Sequence, residues 1–293
     1  MKTNDDQAPT GLAHRRRRRL SDEETEQRML RAALDSVNRT GLTVSLEHIS
    51  FEDVIRDAGV ARSAVYRRWP YKDLFFSDLL RELAGGLAPA GIAAEESATE
   101  LVRRVALERL DWLKTPELRH DLYVELLRQG ALLDFETIHA STEWRTYLAL
   151  HATFVGLADG DLRADVQAAL ATADQGFVAR ISAANERMAE LLGYRLRPEL
   201  GSTFETLTGL VSATLRGLVI MALSNPDVVV RRNRANPFGA SGTAEWSQPA
   251  LGVAGIAFAF LEPDPSVEWN DERVAGVRRA LETGQNLGHR QPG

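Results

Sequence analysis

Apolar residues recur at three- and four-residue intervals along most of this chain. After Ser21, positions Met29, Leu30, Ala33, Leu34 and Val37 keep that rhythm, which is one face of an α-helix. Ser21 with Glu24 makes a capping-box pattern, Asp22, Glu23 and Glu24 suit the positive end of the helix dipole, and Gly41 ends the run. The spacing then predicts a short helix over Phe51–Ala58 capped by Ser50, and a break at Gly59. A third helix is expected over Arg62–Arg68, stopped by Pro70, and a fourth from near Tyr71 with Leu74, Phe75, Leu79, Leu80 and Leu83. Further helices are expected over 95–115, 116–129, 141–158, 162–193, 198–224, 248–261 and 271–283, with Pro116 and Pro198 in first-turn positions. A polar loop is expected over 225–247. Strand-like alternation of useful length is missing, and Val228, Val229 and Val230 are too short a β-branched run to build a sheet. The expected fold class is all-α. Residues 1–20 read as a disordered basic arm, 21–83 as a small helical unit, 84–284 as a larger helical body and 285–293 as a disordered tail.

Composition adds boundaries to this picture. Among 293 residues, 44% are hydrophobic and 26% charged, which suits a globular protein. The absence of cysteine excludes a disulfide framework, a thiolate metal site and a cysteine nucleophile. A net charge of −6 would argue against nucleic acid if it were evenly spread. It is not: residues 1–83 carry 15 basic and 14 acidic side chains, and the rest carry 20 and 27. Arg15, Arg16, Arg17, Arg18 and Arg19 are consecutive, and Leu20 to Glu24 behind them lack the apolar run of a secretory signal. The apolar stretch 250–261 is short of the roughly 20 residues a membrane helix needs, and 207–223 is interrupted by Thr208, Ser212, Thr214 and Arg216. A cytoplasmic protein with no membrane partner is the expectation.

Residues 50–69 carry the most specific pattern. Two short helices joined by a glycine-containing turn of about three residues have the shape of a helix-turn-helix, whose second helix enters the DNA major groove. Gly59 allows a positive φ, and Val54, Ile55, Ala58, Val60 and Val65 provide the contact between the helices. The second helix would expose Arg62, Ser63, Ala64, Arg67 and Arg68. Arginine pairs with two acceptors on a guanine edge, serine contacts a base or phosphate, and small side chains let the helix approach the groove floor. The pattern Gly41, Ala58-Gly59-Val60, Tyr66, Trp69, Lys72 and Phe75 resembles the DNA-binding domain of TetR-family transcriptional regulators over residues 21–83. That resemblance implies a three-helix DNA-binding domain in which Tyr66 and Lys72 contact phosphates, with Ser50 at a helix N-terminus as a further phosphate contact. It also implies a larger helical domain for ligand binding and dimerisation. Three positions depart from the family pattern: Ala61 stands where Ser or Thr caps the recognition helix, Trp69 replaces a Phe, and Tyr71 replaces a small or polar residue. Capping by Ser63 instead would start the helix a turn later.

The remaining candidates are weighed against plainer readings. The arginine arm would insert into a minor groove or simply add non-specific phosphate attraction. Trp144, Tyr147, Leu148, His151, Phe154 and Val155 share a stripe, so Trp144, Tyr147 and His151 are candidate ligand contacts, with Gln175 a further polar one; the alternative is ordinary core. Helix 198–224 is apolar over most of its circumference, with Gly209, Ala213 and Gly217 at four-residue spacing. It and 162–193 are expected to form a homodimer interface, with 250–261 as the competitor. Two Glu-x-x-His sequences, Glu117 with His120 and Glu136 with His139, have the form of di-iron ligands. The first pair leans to solvent, away from Leu118, Leu122, Leu126 and Leu127, so no metal or cofactor is expected. No catalytic motif is present and the chain reads as a non-enzyme. The expectation is a homodimeric repressor on a pseudo-palindromic double-stranded DNA operator, released by a small-molecule effector. An all-α di-metal enzyme and a helical protein-interaction scaffold are the alternatives.

Overall fold

The computed structural model describes residues 20–40, 49–86 and 92–283. At its start the Ser21 hydroxyl accepts from the Glu24 backbone N–H at 3.0 Å, and the Glu24 carboxylate accepts from the Ser21 N–H at 2.8 Å. This reciprocal cap opens α1 (Asp22–Thr40). Ser50 caps α2 (Phe51–Ala58) by accepting from the Asp53 N–H at 3.2 Å. Gly59 then turns the chain with φ 63 and ψ 33, in the left-handed region. Helix α3 (Arg62–Arg68) begins directly after Ala61, which offers no side-chain cap, so Ser63 lies inside the helix. Helix α4 (Lys72–Gly86) follows.

The body continues with α5 (Ile92–Glu108), a 3-10 turn Leu110–Lys114, α6 (Pro116–Ala140), α7 (Thr142–Val155) and α8 (Asp161–Leu191). Strand β1 (Tyr194–Leu196) leads to α9 (Phe204–Ser224), α10 (Asp227–Val230), β2 (Arg232–Ala235), β3 (Ala244–Ser247), α11 (Gln248–Phe260), β4 (Leu261–Pro263) and α12 (Asp271–Thr283). The described chain is therefore predominantly helical. Two small antiparallel ribbons modify the all-α expectation. Strand β1 pairs with β4, Leu196 opposite Leu261, and β2 pairs with β3, Arg232 opposite Ser247. Strands of three or four residues are too short to show alternation, and the β1 and β4 partners are separated by more than sixty residues.

Several helix limits also shift. Helix α6 runs through Gly130 to Ala140 rather than stopping at 129, because burial of Ala131, Phe135 and Ile138 outweighs the roughly 1 kcal/mol penalty of a mid-helix glycine. The expected helix 198–224 starts only at Phe204, where the Thr203 hydroxyl accepts from the Thr206 N–H. Pro198–Leu200 is a 3-10 turn. The expected loop 225–247 contains α10 and the β2–β3 ribbon.

Packing ties the N-terminal unit to the body. Met29, Ala33, Val54, Val65, Trp69 and Phe75 form a core that continues into Leu150 of α7 and Val166 and Leu170 of α8. At its edge Arg81 Nε of α4 donates to Asp165 Oδ2 of α8 at 2.8 Å. Helix α9 is long and apolar enough, by length and composition, to cross a membrane, which the sequence reading had not expected. In this fold it buries Leu207, Thr208, Leu215, Val219 and Ala222, and packs on α6, α8 and α11. Its other side leaves Leu210, Ile220, Met221 and Leu223 exposed.

Gly193 closes the turn between α8 and β1 at φ 72, and a Cβ there would lie 2.8 Å from the Trp269 ring. Gly193→Ala is expected to lower the unfolding free energy by roughly 2 kcal/mol or more in urea titrations. Gly201 has φ 53 but nothing within 4 Å of an added Cβ. Gly201→Ala should therefore show only the left-handed penalty of about 1 kcal/mol.

Candidate nucleic-acid interface and ligand cavity

Helix α3 is anchored by its inner side. Val65 and Trp69 are fully buried, and the Trp69 indole meets Phe75 edge-on at 5.2 Å and donates from Nε1 to Asp78 Oδ2 at 2.9 Å. The outer side presents Arg62, Ser63, Tyr66 and Arg67 as exposed residues, with Ala64 half-buried between them. Each long polar side chain already has an acidic neighbour. Arg62 pairs with Glu52, the Tyr66 hydroxyl donates to Glu52 at 3.1 Å, and Arg67 pairs with Asp22. The hydrogen bond to Glu52 raises the Tyr66 pKa. Arg68 turns back toward α1 and α4: it bonds Glu26 at 3.1 and 3.2 Å, reaches Asp78 at 3.4 Å and lies 5.2 Å from the centre of the Trp69 ring. Arg68 is exposed as well, and like Arg62, Tyr66 and Arg67 it is paired within its own domain. Lys72 is exposed at the start of α4 beside Tyr71, and Ser50 is exposed at the start of α2 with its hydroxyl engaged as the cap. Arg15, Arg16, Arg17, Arg18, Arg19 and Gly41 lie outside the described residues.

Exposed pairs of this kind contribute about 0–1 kcal/mol each, so a phosphate or base edge can displace the acidic partner at small cost. The face is thus neutral at rest and cationic only when the carboxylates are turned away. Asp78 differs, because it serves a buried donor. Asp78→Ala is expected to cost about 1–3 kcal/mol of stability by stranding the Trp69 N–H. Asp78→Asn, which keeps an acceptor, should cost clearly less in the same thermal or urea melts.

The body encloses a cavity of about 320 Å³ between α6, α8, α9 and α11. Its wall is mostly apolar, with Leu127, Ile181, Leu207 and Leu215, and Trp144 of α7 is part of the lining. The Trp144 Nε1 is buried without a hydrogen-bond partner. Behind Trp144 sits a polar knot. Asp174 of α8 accepts from the Tyr147 hydroxyl and from Arg216 Nη2 at 3.0 Å, with His151 Nε2 at 3.8 Å. Burial works against the Asp174 charge, but hydrogen bonds from His151 and Tyr147 and the Arg216 charge outweigh it and hold the carboxyl well below the usual range. The Arg216 guanidinium lies over Tyr147 at 4.9 Å and Trp144 at 5.4 Å.

Of the expected ligand contacts, only Trp144 lines the cavity. Tyr147 and His151 stand behind it, in the Asp174 knot. Gln175 is exposed on the outer side of α8. One residue along a helix rotates a side chain by about 100°, so Asp174 turns inward where Gln175 cannot. Sequence reading missed Asp134 of α6, which lines the cavity. The signal was a lone carboxylate inside the apolar run Leu132, Leu133, Asp134, Phe135. Burial alone pushes it up to about 7.

The Glu-x-x-His pairs resolve differently from one another. His120 does not lean to solvent: it is half-buried, with Nε2 2.7 Å from the Phe238 carbonyl oxygen and Nδ1 3.3 Å from the Tyr194 hydroxyl. The β2–β3 segment that covers it is what the sequence reading lacked. Glu117 stays exposed, His139 stacks on Phe135 and Glu136 faces Arg232 at 3.8 Å. Among the described residues no group of three or more His, Asp or Glu side chains could hold a metal ion.

Compared with known proteins, the chain matches no family model and no curated protein.

Proposed function

We propose that this protein is a dimeric, ligand-responsive DNA-binding transcriptional regulator of TetR type, acting as a repressor. The observation that carries the reading is α3. A seven-residue helix follows α2 through a turn with Gly59 in the left-handed region, is pinned inward by Val65 and Trp69, and shows Arg62, Ser63 and Arg67 outward. That is the arrangement a recognition helix needs for the major groove. The resemblance of residues 21–83 to TetR regulators supports it. Ser50, Tyr66 and Lys72 then take phosphates, and the Arg15 to Arg19 arm adds electrostatic attraction.

Helix α7 gives the ligand a route to the DNA-binding unit. Trp144 near its start lines the cavity, and Leu150 two turns later sits in the core shared with α1 to α4. A ligand that pushes Trp144 and thereby re-seats α7 and α8 against α4 changes the spacing of two recognition helices. It does so only by binding the two arrangements with different affinity.

Dimerisation is assigned to α9 with α8. Leu210, Ala213, Gly217 and Ile220 make an exposed stripe at three- and four-residue spacing on α9, and α8, which packs on α9, also exposes Ala168, Ala171 and Ala179. Such a stripe fits a four-helix contact with a second copy. Arg216 of α9, tied to Asp174 of α8, argues for this use of the apolar helix over a lipid setting.

DNA selected from a random pool should converge on a pseudo-palindrome with half-sites about one helical turn apart. Arg62→Ala and Arg67→Ala should each weaken binding by about 1–3 kcal/mol in gel retardation. Wild-type protein giving no sequence-preferring retardation at moderate salt would overturn the proposal. For the dimer, light scattering at micromolar concentration should give twice the chain mass, and Ile220→Glu should shift the protein to monomer without changing its helical content.

A further inference from the structure

Among the described residues, the cavity wall includes a carboxyl without a partner, Asp134, together with two residues that carry unpartnered buried donors, Trp144 Nε1 and Arg216 Nε. Asn185 Nδ2 donates to Thr208 Oγ1 at 3.1 Å, so those two wall residues satisfy each other. Arg216 is bound to Asp174, Arg180 lies 5.8 Å from the centre of the Phe177 ring, and Arg187 has an interaction of its own. Asp134 has no hydrogen bond or ion pair among the described residues. It is half-buried and lines the cavity. Burial alone perturbs it; no neighbouring cation acts on it, although three arginines stand elsewhere in the wall.

A carboxyl in an apolar cavity has two states. Protonated, it is a neutral donor at modest cost. Ionised, it demands a positive partner, because an unpaired charge in a low-dielectric site is far more expensive than a paired one. A ligand that brings a protonated nitrogen converts that demand into binding. The unpartnered Trp144 Nε1 and Arg216 Nε suit a neutral acceptor, because the Arg216 charge is already paired with Asp174.

We infer that the cavity takes an apolar amine, with the alkyl or aryl portion against the aliphatic wall and the ammonium group on the Asp134 carboxylate. This rests on the reading of the cavity as the effector site, and it narrows the effector to lipophilic cations. A volume of about 320 Å³ sits at the low end for small-molecule pockets, which fits a chain of roughly ten carbons better than a large polycycle. Binding couples to protonation. Asp134 is partly protonated at neutral pH and must ionise to hold the ammonium, so affinity rises as pH is raised from 6 to 8 while the amine stays charged.

The test uses three probes of one chain length, decylamine, decanol and decanoate, titrated into the full-length protein with tryptophan fluorescence and calorimetry as readouts. Decylamine is expected to bind tightest, and its affinity to climb between pH 6 and 8. Asp134→Asn should weaken decylamine at least thirty-fold, abolish its pH dependence and leave decanol within two-fold of wild type; unchanged decanol binding also shows that the variant is folded. Asp134→Leu should lose decylamine in the same way. Since a raised carboxyl pKa destabilises the folded state once pH exceeds the unfolded value, Asp134→Asn should also raise the melting temperature more at pH 8 than at pH 4. Equal binding of the three probes, decanoate binding tightest, or decylamine insensitive to Asp134→Asn would each overturn the inference. No DNA enters these titrations, so failure of the DNA-binding proposal would appear separately, as absent retardation with amine binding intact.

Discussion

The half-buried carboxylate of Asp174 is the interaction on which the arrangement of the body turns. It gathers the Tyr147 hydroxyl and His151 from α7 and the Arg216 guanidinium from α9 around a single residue of α8. An ion pair half out of water is retained only when each partner is in place, because removing one leaves an uncompensated charge. Three helices are thereby fixed in relative height and rotation. The same residues stand between the two apolar regions of the molecule: Trp144 and Arg216 face the cavity, and one turn beyond Tyr147 the chain delivers Leu150 to the core of α1 to α4.

That placement gives the fold a mechanical character. Among the described residues, the core of the N-terminal unit runs on into the body. Its apolar interior is completed by Leu150, Val166 and Leu170 of the body, and Arg81 with Asp165 ties the rim. Close-packed interiors transmit displacement instead of absorbing it. In the proposed response, a change in cavity occupancy at Trp144 passes along α7 and α8, the two helices that touch the N-terminal core. The proposed response to ligand needs no hinge beyond this shared packing.

Charge is arranged with the opposite logic on the surface. The arginines of α3 are exposed and paired with Asp22 and Glu52 from neighbouring helices, contacts that water and salt weaken. In the body, Asp174 is tied to Arg216, Tyr147 and His151, and Asp134 lines the cavity with no partner among the described residues. Exposed pairs are exchangeable and buried ones are not. This separates groups suited to meeting a large polyanion from groups suited to holding a small molecule.

Much of the helical plan was legible in the sequence, because caps and periodicity are local. Ser21 with Glu24, Ser50 with Asp53, and Gly59 each satisfy or release backbone groups within four residues, so residue identity alone fixes the outcome. Val65 and Trp69 turning inward, with Arg62, Ser63 and Arg67 outward, follow from the same 3.6-residue period. What the tertiary structure alone decided was rotation and distant pairing. The face that α8 turns inward depends on Arg216 and Tyr147, which selects Asp174 and leaves Gln175 outside. The short strands exist because residues 194–196 and 261–263 are brought together across the whole of α9 and α11. His120 is covered by a segment over a hundred residues away, and Asp134 acquires its character from an apolar wall contributed by other helices. Local rules determine where backbone hydrogen bonds go; whether a polar side chain meets water, a partner or an empty cavity is set by what packs over it, and no local pattern carries that information.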